Sequence, residues 1–239
     1  MRTIHTFPDK PTLIGAAAER IVRLMAEGDP TQPFSIALSG GSTPGPIYRL
    51  LATTYREVIP WGRVHLFWGD DRFVPHDHPD SNVQLVKETL LDYGVPIPDK
   101  NVHPMARTGD PEASAAAYEA ELRAFFGDRE LTFDLALQGI GDDGHTASLF
   151  PGTDALGETE RWVRVVEAPP YAKIATRLTL TYPLLNSSRH VLFLAAGANK
   201  QQVLAEVFEH GAASGHPASR IVAQDSLTWF LDQAATPHA

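Results

Sequence analysis

Apolar runs of strand length alternate with stretches of helical periodicity along almost the whole chain. Arg2–Phe7 reads as a first strand, and residues 13–26 follow with Leu13, Ala17, Ile21, Leu24 and Met25 on one helical stripe. Phe34–Leu38 is a second apolar run, and residues 47–55 are helical, with Pro44 or Pro46 near the first turn. Val64–Trp68 is a third strand, followed by a charged loop over residues 69–81. Residues 82–93 form an amphipathic helix, with Val83, Val86, Leu90 and Leu91 on one face, and Pro96 and Pro98 end it. Pro111–Phe126 is an alanine-rich helix. The second half predicts strands at Phe133 to Leu137, at 162–166, at 178–181 and at His190–Ala195. It predicts a short helix at 183–187, a longer one at 200–208, and short strands at 221–223 and 229–231.

Strands that alternate with helices in this way imply an α/β fold, a mainly parallel sheet with helices on both faces. Nothing divides the chain: it shows no internal repeat, low-complexity tract or shift in composition, so residues 1–239 are expected to form a single domain. At 239 residues and 43% hydrophobic, it can bury a substantial core. The net charge of −9 gives no global attraction to nucleic acid or an anionic membrane, so an anionic ligand requires locally placed positive charge. Cysteine is absent, which removes disulfides, thiolate metal sites and cysteine nucleophiles. Pro8, Asp9, Lys10 and Pro11 interrupt any leader-like apolar stretch, and no run reaches membrane-spanning length. A soluble, cytoplasmic protein is expected.

Polar residues that can carry chemistry gather just after the strands. The strand at Leu135 to Leu137 runs into Gly139, Gly141 and Gly144, which enclose Asp142, Asp143 and His145. Carboxylates and an imidazole in a glycine-rich loop at a strand's carboxyl end are a common way for α/β enzymes to present catalytic groups. A polar turn capped by an aspartate reads equally well. Ser39, Gly40, Gly41, Ser42 and Thr43 follow Phe34–Leu38 and precede a helix. They supply converging N–H groups and hydroxyls for a phosphate, or else an ordinary glycine turn with a Ser or Thr cap. The GK[ST] ending of a P-loop is missing. Asp70, Asp71 and Arg72 follow Val64–Trp68; Arg72 can clamp a phosphate or pair within the loop. His76, Asp77 and His78 suggest a metal but lack a third ligand at convincing spacing, so no metal is expected. Gly139 to Gly144 fits G-x-G-x-x-G formally. Two adjacent carboxylates facing a pyrophosphate, and Pro151 soon after, argue against a dinucleotide. Arg177 and Lys200 lie at strand ends and gain meaning only by converging with the serine-glycine loop.

The segments LSGGSTP, DDRFVP with DSN, GIGDDGHTASLFPG, RLTLTYPLLN and GANK occur in this order between about Phe34 and Lys200. In these the chain resembles the 6-phosphogluconolactonase family, of the superfamily that includes glucosamine-6-phosphate deaminase. GHTASLFPG is highly specific, whereas SGGSTP is shared across the superfamily. The resemblance implies a Rossmann-like domain that needs no cofactor. It implies hydrolysis of 6-phosphoglucono-δ-lactone to 6-phosphogluconate in the pentose phosphate pathway; a small sugar-phosphate lactone as partner, neither nucleic acid nor membrane, and a monomer are expected. By the same resemblance His145 is the general base and Asp143 its neighbour. Gly40, Gly41, Ser42 and Thr43 match the phosphate loop, and Arg72, Arg177 and Lys200 the basic residues around the sugar phosphate. Asp70 resembles the proton-abstracting aspartate of the deaminases. Asp71 stands where the family usually has Glu, Asp142 where it often has Pro, and Gln201 where Ala is usual; Asp142 is expected to add negative charge near His145. The rivals are a deaminase and a non-catalytic sugar-phosphate sensor. The deaminases carry an acidic residue after D-G-H, whereas here TASLFPG has no carboxylate before Asp154, and a sensor has no need of a positioned histidine.

Overall fold

A computed structural model describes residues 2–237. The chain runs β1 (Arg2–Phe7), α1 (Lys10–Glu27), β2 (Phe34–Leu38), α2 (Pro44–Thr53), β3 (Val64–Trp68), β4 (Asp70–Arg72) and α3 (Asn82–Thr89). It continues β5 (Val102–His103), α4 (Pro111–Phe126), β6 (Leu135–Gly139), β7 (Val163–Glu167), β8 (Thr176–Leu180) and α5 (Tyr182–Leu185). It ends β9 (His190–Ala195), α6 (Gln201–His210) and β10 (Ser226–Asp232). Among the described residues one sheet has seven strands in the order β1-β10-β9-β6-β2-β3-β5, with every pairing parallel. The expected α/β architecture is therefore present, with helices packed around a parallel sheet.

Its central strands are buried along their length: all five residues of β2 are inaccessible, as are Val191 to Ala195 of β9. That is why they read as near-continuous apolar runs, broken in β2 only by Ser35, and not as alternating ones. β1 lies at the edge, paired on one side only, and stays exposed. α1 starts earlier than its apolar stripe: Asp9 caps it, accepting from the Thr12 amide at 2.8 Å, and Pro11 sits in its first turn.

The strand order reverses between β2 and β6. From β2 the chain builds outward through β3 to β5, then returns to add β6, β9 and β10 on the other side. The loops leaving β2 and β6 thus diverge and leave a crevice at the strands' carboxyl ends, where open α/β sheets bind ligands.

The structure departs from the sequence pattern in several places. The strands expected at 162–166 and 178–181 do not join the main sheet. They form β7 and β8, which with β4 make a separate antiparallel sheet in the order β4-β8-β7. β4 itself lies in the stretch expected to be a charged loop, and its register sets Arg72 opposite Arg177. The helix expected over 82–93 ends at Thr89, and a tighter turn, Leu91–Tyr93, is closed by Gly94 at φ 65°. Residues 221–223 are not a strand: the Val222 and Gln224 amides bond to Asn186 and Ser188 instead, and pairing with β9 begins only at Ser226.

Candidate active site

A cleft of about 250 Å³ opens at the reversal point. The loop after β2 supplies Ser39, Gly40 and Gly41, and the loop after β6 supplies Ile140, Gly141, His145, Thr146 and Ala147. Asp70, Arg72 and Arg177 enter from the small sheet, Asn82 from the start of α3, and Lys200 from the turn before α6.

The loop after β6 is built around one contact. His145 Nδ1 lies 2.6 Å from Asp143 Oδ1, and the same oxygen accepts from the His145 amide at 3.1 Å. The other carboxylate oxygen accepts from the Tyr171 hydroxyl. Burial alone would raise the Asp143 carboxyl, but the bonds from the His145 ring, Tyr171 and the His145 amide outweigh it and hold the group well below the usual carboxylate range. Burial and the Asp143 charge push the Tyr171 hydroxyl up to about 12, so it remains a donor. An ionised Asp143 fixes the proton of a neutral His145 on Nδ1 and leaves the Nε2 lone pair free. His145 rests against the Phe150 ring, 4.4 Å between centroids.

Gly141 makes this pairing possible: a Cβ there would stand 2.1 Å from His145 Nδ1 and 2.6 Å from Asp143 Oδ1. Two residues past His145, Ala147 holds φ at 49°, a conformation rarely adopted by residues other than glycine, in the turn where the Leu149 amide bonds to Thr146 O at 2.9 Å.

The opposite wall is cationic. Arg177 is only 9% exposed; its Nε donates to Ile174 O at 3.1 Å, and its Nη atoms make no hydrogen bond among the described residues. Burial lowers its pKa, Asp70 opposes that and the facing Arg72 adds to it, yet a guanidinium keeps its charge. Arg72 donates to Asn82 Oδ1 at 2.5 Å and Asp80 O at 3.2 Å. Two adjacent guanidiniums with unused donors repel until an anion lies between them. Lys200 Nζ stands 2.5 Å from Asp142 Oδ1. Asp70, 7% exposed, accepts from Ser148 Oγ at 2.6 Å and Asn82 Nδ2 at 3.3 Å. Asp71 is turned away from the cleft, bonded to Arg107 at 2.6 Å, Ser81 at 3.0 Å and the Asn82 amide at 2.6 Å.

Of the residues singled out in the sequence, Gly40, Gly41, Asp70, Arg72, His145, Arg177 and Lys200 line the cleft, and Asp143 stands directly behind His145. Ser42 and Thr43 do not line it. Ser42 is exposed and meets Lys10 Nζ at 3.2 Å, and Thr43 precedes α2 without a side-chain cap bond. The helix end is also a weaker anion site than the pattern suggested, because Pro44 and Pro46 lack the N–H groups of that turn. Asp142 does not face His145 as expected; its carboxylate is taken up by Lys200 and by Asn199 Nδ2 at 2.8 Å. His76 bonds to Met105 O at 2.8 Å and His78 to the Asp80 amide at 3.1 Å, and no cluster of three or more His, Asp or Glu suited to a metal occurs among the described residues.

Sequence reasoning missed Asn82, Ser148 and Tyr171. Asn82 fills the space a Gly40 Cβ would occupy, its Oδ1 lying 1.9 Å from that position, and so ties the β2 loop to Arg72 and Asp70. The DSN segment was the one available signal for it.

The model of the glucosamine-6-phosphate isomerases/6-phosphogluconolactonase family matches residues 8–229. The chain belongs to this family. A 6-phosphogluconolactonase of Synechocystis sp. is 47% identical over 222 residues, covering 90% of this chain and 88% of the relative. The solved 6-phosphogluconolactonase from Trypanosoma cruzi superposes with a TM-score of 0.86 at 30% identity, over 98% of this chain and 96% of that one. A monomeric glucosamine-6-phosphate deaminase matches with a TM-score of 0.84 over 98% of both chains, but at 20% identity, a likeness of fold alone. Within the family, the Asp143–His145 pair and the cationic wall are the two features of this cleft with evident chemistry.

Proposed function

We propose that this family member is a 6-phosphogluconolactonase, hydrolysing 6-phosphoglucono-δ-lactone to 6-phosphogluconate in the pentose phosphate pathway, with His145 as general base. The observation that carries the mechanism is an Asp143-bound His145 lining a cleft whose other wall holds Arg72, Arg177 and Lys200. The cations and the Gly40–Gly41 backbone take the phosphate, which sets the lactone carbonyl beside the imidazole. Binding energy from the phosphate end is thereby used to position the reacting carbon. Nε2 accepts a proton from water as its oxygen attacks the lactone carbonyl. When the tetrahedral intermediate collapses, the bond to the ring oxygen breaks and the imidazolium returns the proton to that oxygen. Asp143 keeps the proton of the neutral ring on Nδ1 and stabilises the imidazolium between the two steps.

We take the enzyme to be a cytoplasmic monomer, as the sequence reading expected; no described helix is long and apolar enough to cross a membrane. The test is direct measurement of lactone loss with the spontaneous hydrolysis subtracted. No acceleration by the folded protein overturns the reading. Asp70 in the cleft favours a deaminase as the second reading. Release of ammonia from glucosamine 6-phosphate would establish it, although Asp70 is the only carboxylate among the described lining residues.

A further inference from the structure

The loop that carries Asp143 and His145 is held from behind, on the side away from the cleft. The chain returns there after α6 through Gly215, His216, Pro217 and Ala218. His216 Nδ1 lies 3.2 Å from the Asp143 carbonyl oxygen, and the Ala218 amide donates to the Gly144 carbonyl at 2.9 Å. Two successive carbonyls just ahead of His145 are therefore gripped by one segment. On its far side the His216 ring meets Glu206 of α6, Nε2 to Oε2 at 2.6 Å. The segment is itself fastened, by Tyr182 Oη to Pro217 O at 3.0 Å and Ser219 Oγ to His216 O at 2.6 Å.

The fit against the loop is close. Gly144 has φ at 82°, and a Cβ on it would stand 2.3 Å from His216 Nδ1. His216 is absent from the cleft lining, so it reaches the reaction only through the loop. Both its nitrogens face acceptors. The Glu206 carboxyl is held below its ordinary range by the His216 bond first and Gln202 second, so it stays a carboxylate. The Asp143 carbonyl accepts only, so the bond to it is donated by Nδ1. Rotation of the peptide between Asp143 and Gly144 would swing the carboxylate and the imidazole together, and the Asp143 carbonyl is the handle that prevents it.

We propose that His216, oriented by Glu206, is a positioning residue for the Asp143–His145 pair, acting through its bond to the Asp143 carbonyl. The inference rests on the lactonase reading and extends it beyond the cleft. Asn and Gln separate the two bonds, because an Asn amide nitrogen overlays Nδ1 of histidine and a Gln amide nitrogen overlays Nε2. His216→Asn keeps a donor for Asp143 O, whereas His216→Gln keeps only the link to Glu206.

The experiment is lactonase kinetics on purified wild type, His216→Asn and His216→Gln, with melting temperature and 6-phosphogluconate affinity measured on each. His216→Gln is expected to lose about ten- to a hundred-fold in kcat with little change in KM, the cost of a misplaced catalytic pair. His216→Asn is expected to recover most of that loss. Product affinity should hold in both, because the cationic wall is untouched. If His216→Gln does not fold, His216→Ser, too short to reach Asp143, takes its place. Equal turnover per folded molecule in the Asn and Gln (or Ser) variants, whether normal or reduced, overturns the proposal. Wild type inactive on the lactone instead overturns the lactonase reading itself.

Discussion

Gly141→Ala perturbs the geometry of the proposed catalytic pair. The added methyl would lie 2.1 Å from His145 Nδ1, 2.3 Å from Cε1 and 2.6 Å from Asp143 Oδ1. Ordinary contact begins near 3.4 Å, so the imidazole must retreat by about 1.3 Å or the carboxylate must let go of it. The three nearest atoms all belong to the proposed base and its partner. Gly141 does not hold a left-handed φ, so alanine there brings no backbone strain of its own. A displacement of about 1 Å in a positioned group can cost about 100-fold in rate. The expected result is therefore a kcat lower by about two orders of magnitude, with 6-phosphogluconate affinity retained. Gly157→Ala is the matched control, with nothing within 4 Å of its new methyl, and should leave the rate unchanged. Lactone loss, titration calorimetry with product, and melting temperature on both variants decide the matter. A folded Gly141→Ala protein with near-normal kcat would refute the claim that the Asp143–His145 contact is needed in the form observed.

His145→Ala should lower turnover by about 10²- to 10⁴-fold while 6-phosphogluconate still binds; near-normal turnover would remove the general-base assignment. Arg177→Ala should weaken product binding by about 1.5–3 kcal/mol, the worth of a hydrogen bond to a charged group, with kcat less affected; unchanged affinity would put the phosphate elsewhere. If Lys200 takes the substrate phosphate as proposed, Asp142→Asn should lower KM by up to about five-fold by removing a competing carboxylate, and leave kcat alone; a change confined to kcat would mean that Asp142 acts on His145 after all. Burial first, then His103 and Lys100, pull the half-buried His65 from an ordinary 6.5 down to about 4. The unfolded chain takes up this proton at higher pH than the folded one, so His65's contribution is intact above about pH 6.5 and is lost as pH falls towards 4. Discounted for partial exposure it amounts to about 1–2 kcal/mol. Melting curves of wild type and His65→Gln should converge between pH 7 and pH 4.5, and parallel curves would refute the assignment.

The parallel sheet was legible because its central strands are covered on both faces. Ser35 is the one polar residue in β2, nothing polar interrupts the buried part of β9, and the turns after them are marked by Gly40, Gly41 and Gly197. The small antiparallel sheet was not legible. β7 and β8 have ordinary strand composition, and their separation from the main sheet depends on β4, three residues long and wholly charged, pairing with β8 about a hundred positions away. Such a pairing leaves no periodic trace. It matters for the site all the same, because it sets Arg72 opposite Arg177 and so makes the cationic wall.

Glycines told where the chain approaches itself closely but not what it approaches. Gly40 and Gly41 suggested a phosphate loop, yet the space beside Gly40 belongs to Asn82, forty-two residues on. Gly144 suggested a turn, and the space beside it belongs to His216. Asp142 shows the same limit for charge. Its neighbours in sequence are Asp143 and, three positions on, His145, and a carboxylate so near a proposed general base reads as an influence on proton transfer. The backbone turns the side chain outward, where Lys200 meets it at 2.5 Å. Sequence proximity fixed the loop it belongs to, and the direction of one Cα–Cβ bond decided which process it touches. On the proposed reading that process is the capture of an anion: a lysine already paired would exchange a carboxylate for a phosphate, and the cost of the exchange would fall on binding and not on the chemical step.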